Sequence, residues 1–411
     1  MRRRGLLASA ALAALPRVAR GQLLPARTLP VLRIGVLTDL SGQYRDNAGP
    51  NSVVAARMAV EEFGPEKHGF RVEVVSADHQ QKPDVGAAVA REWFDREAVD
   101  AIADVNNTAI ALAVRTQAME KDKALLVTGA ASADLTGKWC NANMVHWAPD
   151  TYGDVHSTGT ALLRRGAKTW FTVTADYVFG QTLEADLVRL VQAGGGRVLG
   201  SVRYPFPGTT DFSSYLVQAQ ASGADVVALC NTGGDMENAV KQAHEFGLSR
   251  NGKTVAAMFG FVTEVRAMGL EVAEGLLVTE PFYWDMNERT RGFTKRFVSR
   301  SVNGFYPSSL HAGAYSATTH YMKAAAAKGV DAVRSGRAAV AAMKAMLTDD
   351  DCFGSASIRA DGRFLADTYL FQVKAPGQST GEWDVYTLVG TTPGAEAFRP
   401  LSENACPMLQ G

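Results

Sequence analysis

Short apolar runs alternate with amphipathic segments from "VLRIGVLTDL", Val31 to Leu40, through most of the chain, and this alternation restricts the fold more than any other feature. In "GPNSVVAARMAVEEFG" the apolar residues Val53, Ala56, Val60 and Phe63 recur at spacings of three and four, giving a helix one buried face. "FRVEVVSAD" predicts a strand and "KPDVGAAVAREWFDRE" a helix; "AVDAIADV" and "ALLVTG" predict short strands flanking the helical "TAIALAVRTQAMEKD". Short, mostly apolar strands separated by such helices imply a parallel sheet covered on both faces. The pattern restarts after "HWAPDTYGD", where "TWFTVTAD", "GRVLGSVRYP", "ADVVALCN", "TVAAMFGFV" and "GLLVTEPF" read as strands of a second sheet of the same kind. A helical block from Glu288 to about Leu347 and strands at "TYLFQVK" and "WDVYTLV" follow. The expected fold is α/β, with two Rossmann-like lobes. The chain crosses between them more than once, the helical block rejoining the first lobe and the terminal strands the second.

The start, "MRRRGLLASAALAALPRVARGQ", has a basic opening, an apolar run from Leu6 to Leu15 and then small residues, the pattern of an export signal over residues 1–21. The run is shorter than the roughly 20 residues a bilayer span needs, so a soluble exported product is expected. Arg3-Arg4-Gly5-Leu6-Leu7 resembles a twin-arginine signal, and a general secretory signal with extra arginines fits the same residues. Cleavage near Gly21 removes five arginines and no acids, taking the formal charge from zero to −5. With no basic run left, nucleic acid is not an expected partner. Four cysteines, Cys140, Cys230, Cys352 and Cys406, remain in a compartment that permits disulfides, and their wide spacing excludes a zinc ribbon or a CxxC pair. Cys140, in a polar loop, and Cys406, in the tail, are the expected pair.

Two facing α/β lobes form a cleft where the carboxyl ends of their strands meet, so the loops that directly follow strands hold the candidate site. In "DVNNTAIALAV", Asn106, Asn107 and Thr108 stand where a strand gives way to a helix. They suit a helix cap, and the same free amides and dipole attract a carboxylate. "TGAAS" offers Ala130, Ala131 and Ser132, small residues that let a backbone approach a ligand. Tyr177 in "TADYVFG" and Tyr44 in the first cleft loop read either as partly buried aromatics or as rings over a ligand. Asn231, Thr232 and Asp235 in "CNTGGD" and Glu264 in "FGFVTE" supply the acids and amides of the second rim, as ligand partners or as helix-terminal acids. Enzyme motifs are missing. "AGGGR" lies between a helix and a strand, the reverse of a dinucleotide loop, and neither a phosphate loop nor a GxSxG nucleophile occurs. His68, His79, His146, His156, His244, His311 and His320 show no HExxH spacing, so no metal and no cofactor are expected.

Together, "IGVLTDLSGQY", "GPNSVVAARMAVEEFG", "TADYVFG", "TDFSSYLVQAQASGADVV" and "AGAYSATTHYMKA" give the chain, from about residue 31 onward, a resemblance to the type I periplasmic solute-binding proteins of branched-chain amino acid ABC transporters. The resemblance implies three crossovers, near Pro149, near Pro281 to Asp285 and near Thr348 to Ser355. Lobe 1 would then be 31–149 plus 284–348, and lobe 2 150–283 plus 349–411. It further implies a monomer that closes on a small solute in the periplasm and delivers it to a membrane permease, with an acid near Glu264 holding an amine. The asparagines and alanines of the anchor loops depart from the family's serines and threonines, so aromatic or other small carboxylates stand beside amino acids as expected ligands. A ligand-sensing module acting through a membrane receptor is the alternative from another class.

Overall fold

A computed structural model describes residues 29–250 and 252–410; the expected signal over residues 1–21 lies outside the described residues. Strands β1 (Val31–Thr38), β2 (Arg71–Asp78), β3 (Ala101–Asp104), β4 (Ala124–Val127) and β5 (Met144–His146) form one parallel sheet in the order β2-β1-β3-β4-β5. The inner strands β3 and β4 are buried throughout, whereas edge strand β2 exposes Arg71 and Glu73, charges that discourage pairing with another chain. Helices α1 (Gly49–Phe63), α2 (Pro83–Asp95) and α3 (Thr108–Glu120) follow β1, β2 and β3. Trp93, Ile110 and Val114 of α2 and α3 cover one face through Leu37, Ile102 and Leu125.

The second parallel sheet is β6 (Thr169–Ala175), β7 (Arg197–Tyr204), β8 (Val226–Cys230) and β9 (Thr254–Ala257), in the order β7-β6-β8-β9. Its helices are α4 (Val178–Ala193), α5 (Ser213–Ala221), α6 (Gly234–Glu245) and α7 (Val262–Met268). Gly180 lets α4 start directly behind β6, since a Cβ there would run into the Ala175 carbonyl.

Beyond β10 (Leu277–Glu280) come α8 (Glu288–Val298), α9 (Ser309–Lys328) and α10 (Gly336–Lys344), then β11 (Thr348–Asp350), β12 (Gly354–Ile358), β13 (Phe364–Leu365), β14 (Thr368–Val373) and β15 (Tyr386–Thr392). Met322 and Tyr321 of α9 join Met58, Leu32 and Leu126 in the core on the other face of the first sheet. Two expectations need correction. β10 is no member of the second parallel sheet; it pairs antiparallel with β14, and β14 with β15, because its partners lie some ninety residues downstream where local pattern cannot reveal them. The third crossing also falls later than Thr348 to Ser355. Cys352, Ala356, Ile358 and Phe364 pack with Phe282 and Phe293 in the first lobe's core, and a parallel bridge from Arg363 to His146 extends its sheet.

Where the chain passes between lobes, Arg363 is buried at 1% exposure. Its Nε donates to Phe364 O at 3.0 Å, and Nη1 to His146 Nδ1 at 3.0 Å and Asp150 Oδ2 at 3.3 Å. Nη2 donates to Ala148 O, and the guanidinium lies 4.2 Å from the Phe398 ring centroid. The chain's end returns to the first lobe. Cys406 is bonded to Cys140 with Cα atoms 5.5 Å apart, while Arg399 reaches Asp134 of the first lobe at 3.2 Å and Asp186 of the second at 2.9 Å. Cys230 and Cys352 are buried and free. Among the described residues no helix is long and apolar enough to cross a membrane, and no cluster of His, Cys, Asp and Glu could hold a metal ion.

Candidate functional site

At the carboxyl ends of both sheets the lobes close over a small cavity of about 20 Å³. The first lobe lines it with Tyr44, Asn47, Asn106, Asn107, Thr108, Gly129, Ala130, Ala131 and Leu310, and the second with Tyr177, Phe179, Thr232, Phe259 and Phe261. The lobes are in contact across it. Tyr44 Oη and Tyr177 Oη lie 2.6 Å apart, and the Tyr177 ring stacks on Phe206 with centroids 3.9 Å apart. Gly233, at φ +67°, makes this approach feasible, since a Cβ there would sit 2.7 Å from both the Tyr44 ring and Gln43 O.

The asparagine loop is mostly occupied by the protein itself. Asn106 Oδ1 accepts from Asp39 N at 3.0 Å and faces His79 Nε2 at 2.7 Å; Asn107 Oδ1 caps α3 through Ala109 N at 2.9 Å and Ile110 N at 3.2 Å. Asn107 Nδ2 donates to Gln81 Oε1 at 2.8 Å. Both residues line the cavity while their side chains bond to neighbouring loops, Asn107 as the cap of α3. What remains free is backbone. The amides of Thr108, Ala130 and Ala131 donate to no acceptor among the described residues, and the Thr108 hydroxyl accepts only a 3.4 Å bond from Ser132 N. Thr108 stands at the start of α3, where the helix dipole also favours an anion, and Ala130 and Ala131 lie in the loop after β4. The Ala130 carbonyl is held from behind by His146 Nε2 at 2.7 Å, and His146 is held by Arg363.

Four further expectations are corrected. Ser132 does not line the cavity; its hydroxyl donates to Thr182 Oγ1 across the lobes at 3.1 Å and accepts from Asp134 N. Asn231, next to Thr232 in the chain, is buried and does not itself line the cavity, and neither atom of its amide finds a partner among the described residues. Asp235, also absent from the lining, accepts from Tyr204 Oη at 2.9 Å, and burial pushes its carboxyl up to about 7. Glu264 is fully buried with its acceptors taken by protein donors: Asn47 Nδ2 at 2.7 Å, Thr232 Oγ1 at 2.8 Å, Phe261 N at 2.9 Å and Gly233 N. Burial raises its pKa against the pull of these bonds. Sequence reasoning missed Asn47, Gly129, Phe179, Phe259, Phe261 and Leu310. Phe259 and Phe261 flank Gly260 in the loop "FGFVTE", where their rings look like ordinary core residues beside an acid; Leu310 sits on a helix whose placement no local pattern gives.

A wider and more open recess of about 720 Å³ lies beside the disulfide, lined in part by Asp134, Lys138, Trp139, Arg189 and Arg399. It stands on the flank of α4 rather than at the strand ends. Its charges are spent on one another: Arg399 and Lys138 on Asp134, and Arg189 on Asp186.

The periplasmic binding protein family model matches residues 31–381. The chain belongs to the periplasmic binding protein family. A periplasmic binding protein from Burkholderia mallei is 41% identical over 92% of this chain and 99% of its own, with a TM-score of 0.88. A branched chain amino acid ABC transporter periplasmic ligand-binding protein from Burkholderia xenovorans LB400 is 40% identical over the same shares, 92% and 99%, at 0.80. An R. palustris ABC transporter solute-binding protein, solved in complex with benzoate, shares the fold at 20% identity over 92% of this chain and 99% of its own, at 0.79. A comparison with curated proteins gives no match. As a periplasmic binding protein, the chain is the solute-binding component of an ABC importer, not an enzyme; it takes up a small ligand in the periplasm for delivery to a permease.

The inter-lobe region also carries a proton-sensitive group. Glu280 ends β10 fully buried, accepting from Val262 N and Ser309 Oγ, both at 2.8 Å, and burial pushes it up to about 8. A raised carboxyl holds its proton more tightly when folded, so its contribution to stability is full below the ordinary carboxylate range and is lost as pH rises through about 8. Glu280→Gln keeps the uncharged form at every pH. The difference in unfolding free energy, mutant minus wild type, is expected to move in the mutant's favour between pH 5 and 8.5, by on the order of 3 kcal/mol. Denaturant titrations at four pH values measure it, and a flat difference would refute the assignment.

Proposed function

We propose that this periplasmic binding protein captures a small aromatic carboxylate between its lobes and presents the closed form to its permease. One observation carries the reading: the cavity is lined by aromatic, aliphatic and neutral polar residues, with no aspartate, glutamate, lysine, arginine or histidine among them. A zwitterionic amino acid would bury its ammonium there with no anionic partner, a cost of several kcal/mol. A carboxylate alone meets the free amides of Thr108, Ala130 and Ala131 and the Thr108 hydroxyl. Phe179, Phe259, Phe261, Tyr44 and Tyr177 provide apolar walls for a ring. Only about 20 Å³ is open between the closed lobes, so they must part to admit a ring. Tyr44, Thr108, Ala130, Ala131, Tyr177 and Thr232 are the residues of the sequence reading that this proposal keeps as ligand contacts. Arg3-Arg4 ahead of an apolar run supports export by the twin-arginine route, and one closing unit per solute is consistent with a monomer.

Calorimetric titration of ligand-stripped mature protein with benzoate, 4-hydroxybenzoate, phenylacetate, leucine and valine tests the reading. At least one aromatic acid is expected to bind a hundredfold more tightly than either amino acid. Thr108→Val is expected to weaken that acid tenfold or more, the value of a hydrogen bond to a charged group. Tighter binding of leucine or valine would overturn the proposal.

A further inference from the structure

Glu264 is the carboxylate that the cavity's own side chains touch, since Asn47 and Thr232 both line the cavity and both donate to its Oε1. Three of its four donors, Thr232, Gly233 and Phe261, belong to the same lobe as Glu264 and stay with it however the lobes move. The fourth, Asn47, comes from the first lobe. Asn47 is 3% exposed and held on every polar atom of its side chain: Nδ2 donates to Glu264 and Oδ1 accepts from Thr263 Oγ1 at 2.8 Å. Its carbonyl accepts from Ser308 Oγ at 2.6 Å, which fixes the backbone beneath it. Its amide therefore stands between the cavity and Glu264.

We propose that Asn47 is the specificity-determining residue that excludes amine-bearing ligands, because its neutral amide takes from across the cleft the position a ligand ammonium would need in order to pair with Glu264. The inference rests on the carboxylate reading above and extends it. A ligand's own cation would bind a buried carboxylate more strongly than an amide does, through a charge-assisted bond. With Asn47 in place, however, the cation must displace a donor that the closed lobes have already positioned. Closure with Asn47 thus satisfies Glu264 whatever the ligand, and an added amine gains nothing while losing its water.

The test uses ligands that differ only by the α-ammonium: phenylacetate against phenylglycine, and 4-methylpentanoate against leucine. In the mature wild-type protein the amino acid of each pair is expected to bind at least a hundredfold more weakly than its partner. Asn47→Ala vacates the position and strips one donor from Glu264; the ratio within each pair is expected to shift at least thirtyfold toward the amino acid. Asn47→Ala combined with Glu264→Gln should return it to the wild-type value, which a mere loss of packing would not do. Asn47→Ser serves in the same way if the alanine variant does not fold. A ratio unmoved in a folded Asn47 variant overturns this inference and leaves the carboxylate reading standing. Wild-type protein that prefers leucine to 4-methylpentanoate overturns both.

Discussion

Replacing Arg363 by methionine is expected to lower the unfolding free energy by about 4 kcal/mol, the cost typical of breaking a buried ion pair from one side. Methionine fills much of the aliphatic volume, so the loss would come from polar groups left behind. Asp150 would lose its cation and the Ala148 and Phe364 carbonyls would lose their donors, all in a region without water access. Burial already raises the Asp150 pKa despite Arg363, the Gly153 amide and Arg399, so losing Arg363 leaves its charge still less supported. The Phe398 ring would also lose the guanidinium stacked on it. A second consequence follows at the cavity. Arg363 donates to His146 Nδ1, leaving Nε2 as the donor to Ala130 O, so the arginine sets both the tautomer and the position of the loop that offers the free amides. Ligand affinity should therefore fall along with stability. Denaturant unfolding of Arg363→Met and of Arg363→Lys measures the first effect; a loss below 1 kcal/mol in the methionine variant would show that the ion pair is dispensable.

Substituting both Cys140 and Cys406 by serine is expected to cost about 4 kcal/mol, mostly through the unfolded chain. The bond joins residues 266 positions apart, and loop-closure entropy grows with the length enclosed. In the folded protein the tail stays docked without it, because Arg399 pairs with Asp134 and Asp186 and Phe398 is buried under Arg363. The serine variant should therefore keep its ligand affinity while its denaturation midpoint falls. A midpoint within about 1 kcal/mol of the wild type in free-energy terms would mean that the denatured chain is already compact.

Most strands of the two parallel sheets were legible as short apolar or alternating runs between amphipathic helices, signals carried within twenty residues; the three-residue β5 was not. The strands β10 to β15 were less so. Their pairing depends on contacts between Leu277–Glu280 and residues beyond 368, and the first-lobe placement of β11 to β13 depends on Ile358 and Phe364 meeting Phe282. In the site, the loops after strands pointed to the right place, but the role of each polar residue could not be read from its type. Asn107 caps a helix and Asn106 ties two loops, while Asn47, unremarkable in "QYRDNAGP", reaches across the cleft. Glu264 read in sequence as a ligand partner or a helix-terminal acid; in the structure it sits in the first turn of α7 with protein donors on both oxygens. Arg363 gave no signal at all, since a lone arginine in "ADGRF" looks like a turn residue.

The disulfide encloses the whole second sheet between its two ends. A peptide bond hydrolysed anywhere from Asn141 to Ala405 would leave two pieces still joined through sulfur. Their ends would stay at high local concentration, and the lobes would keep the packing that holds them. In a compartment with active proteases, a clipped molecule would run as one species on a non-reducing gel and as two after reduction, and it would go on closing over its solute in the meantime.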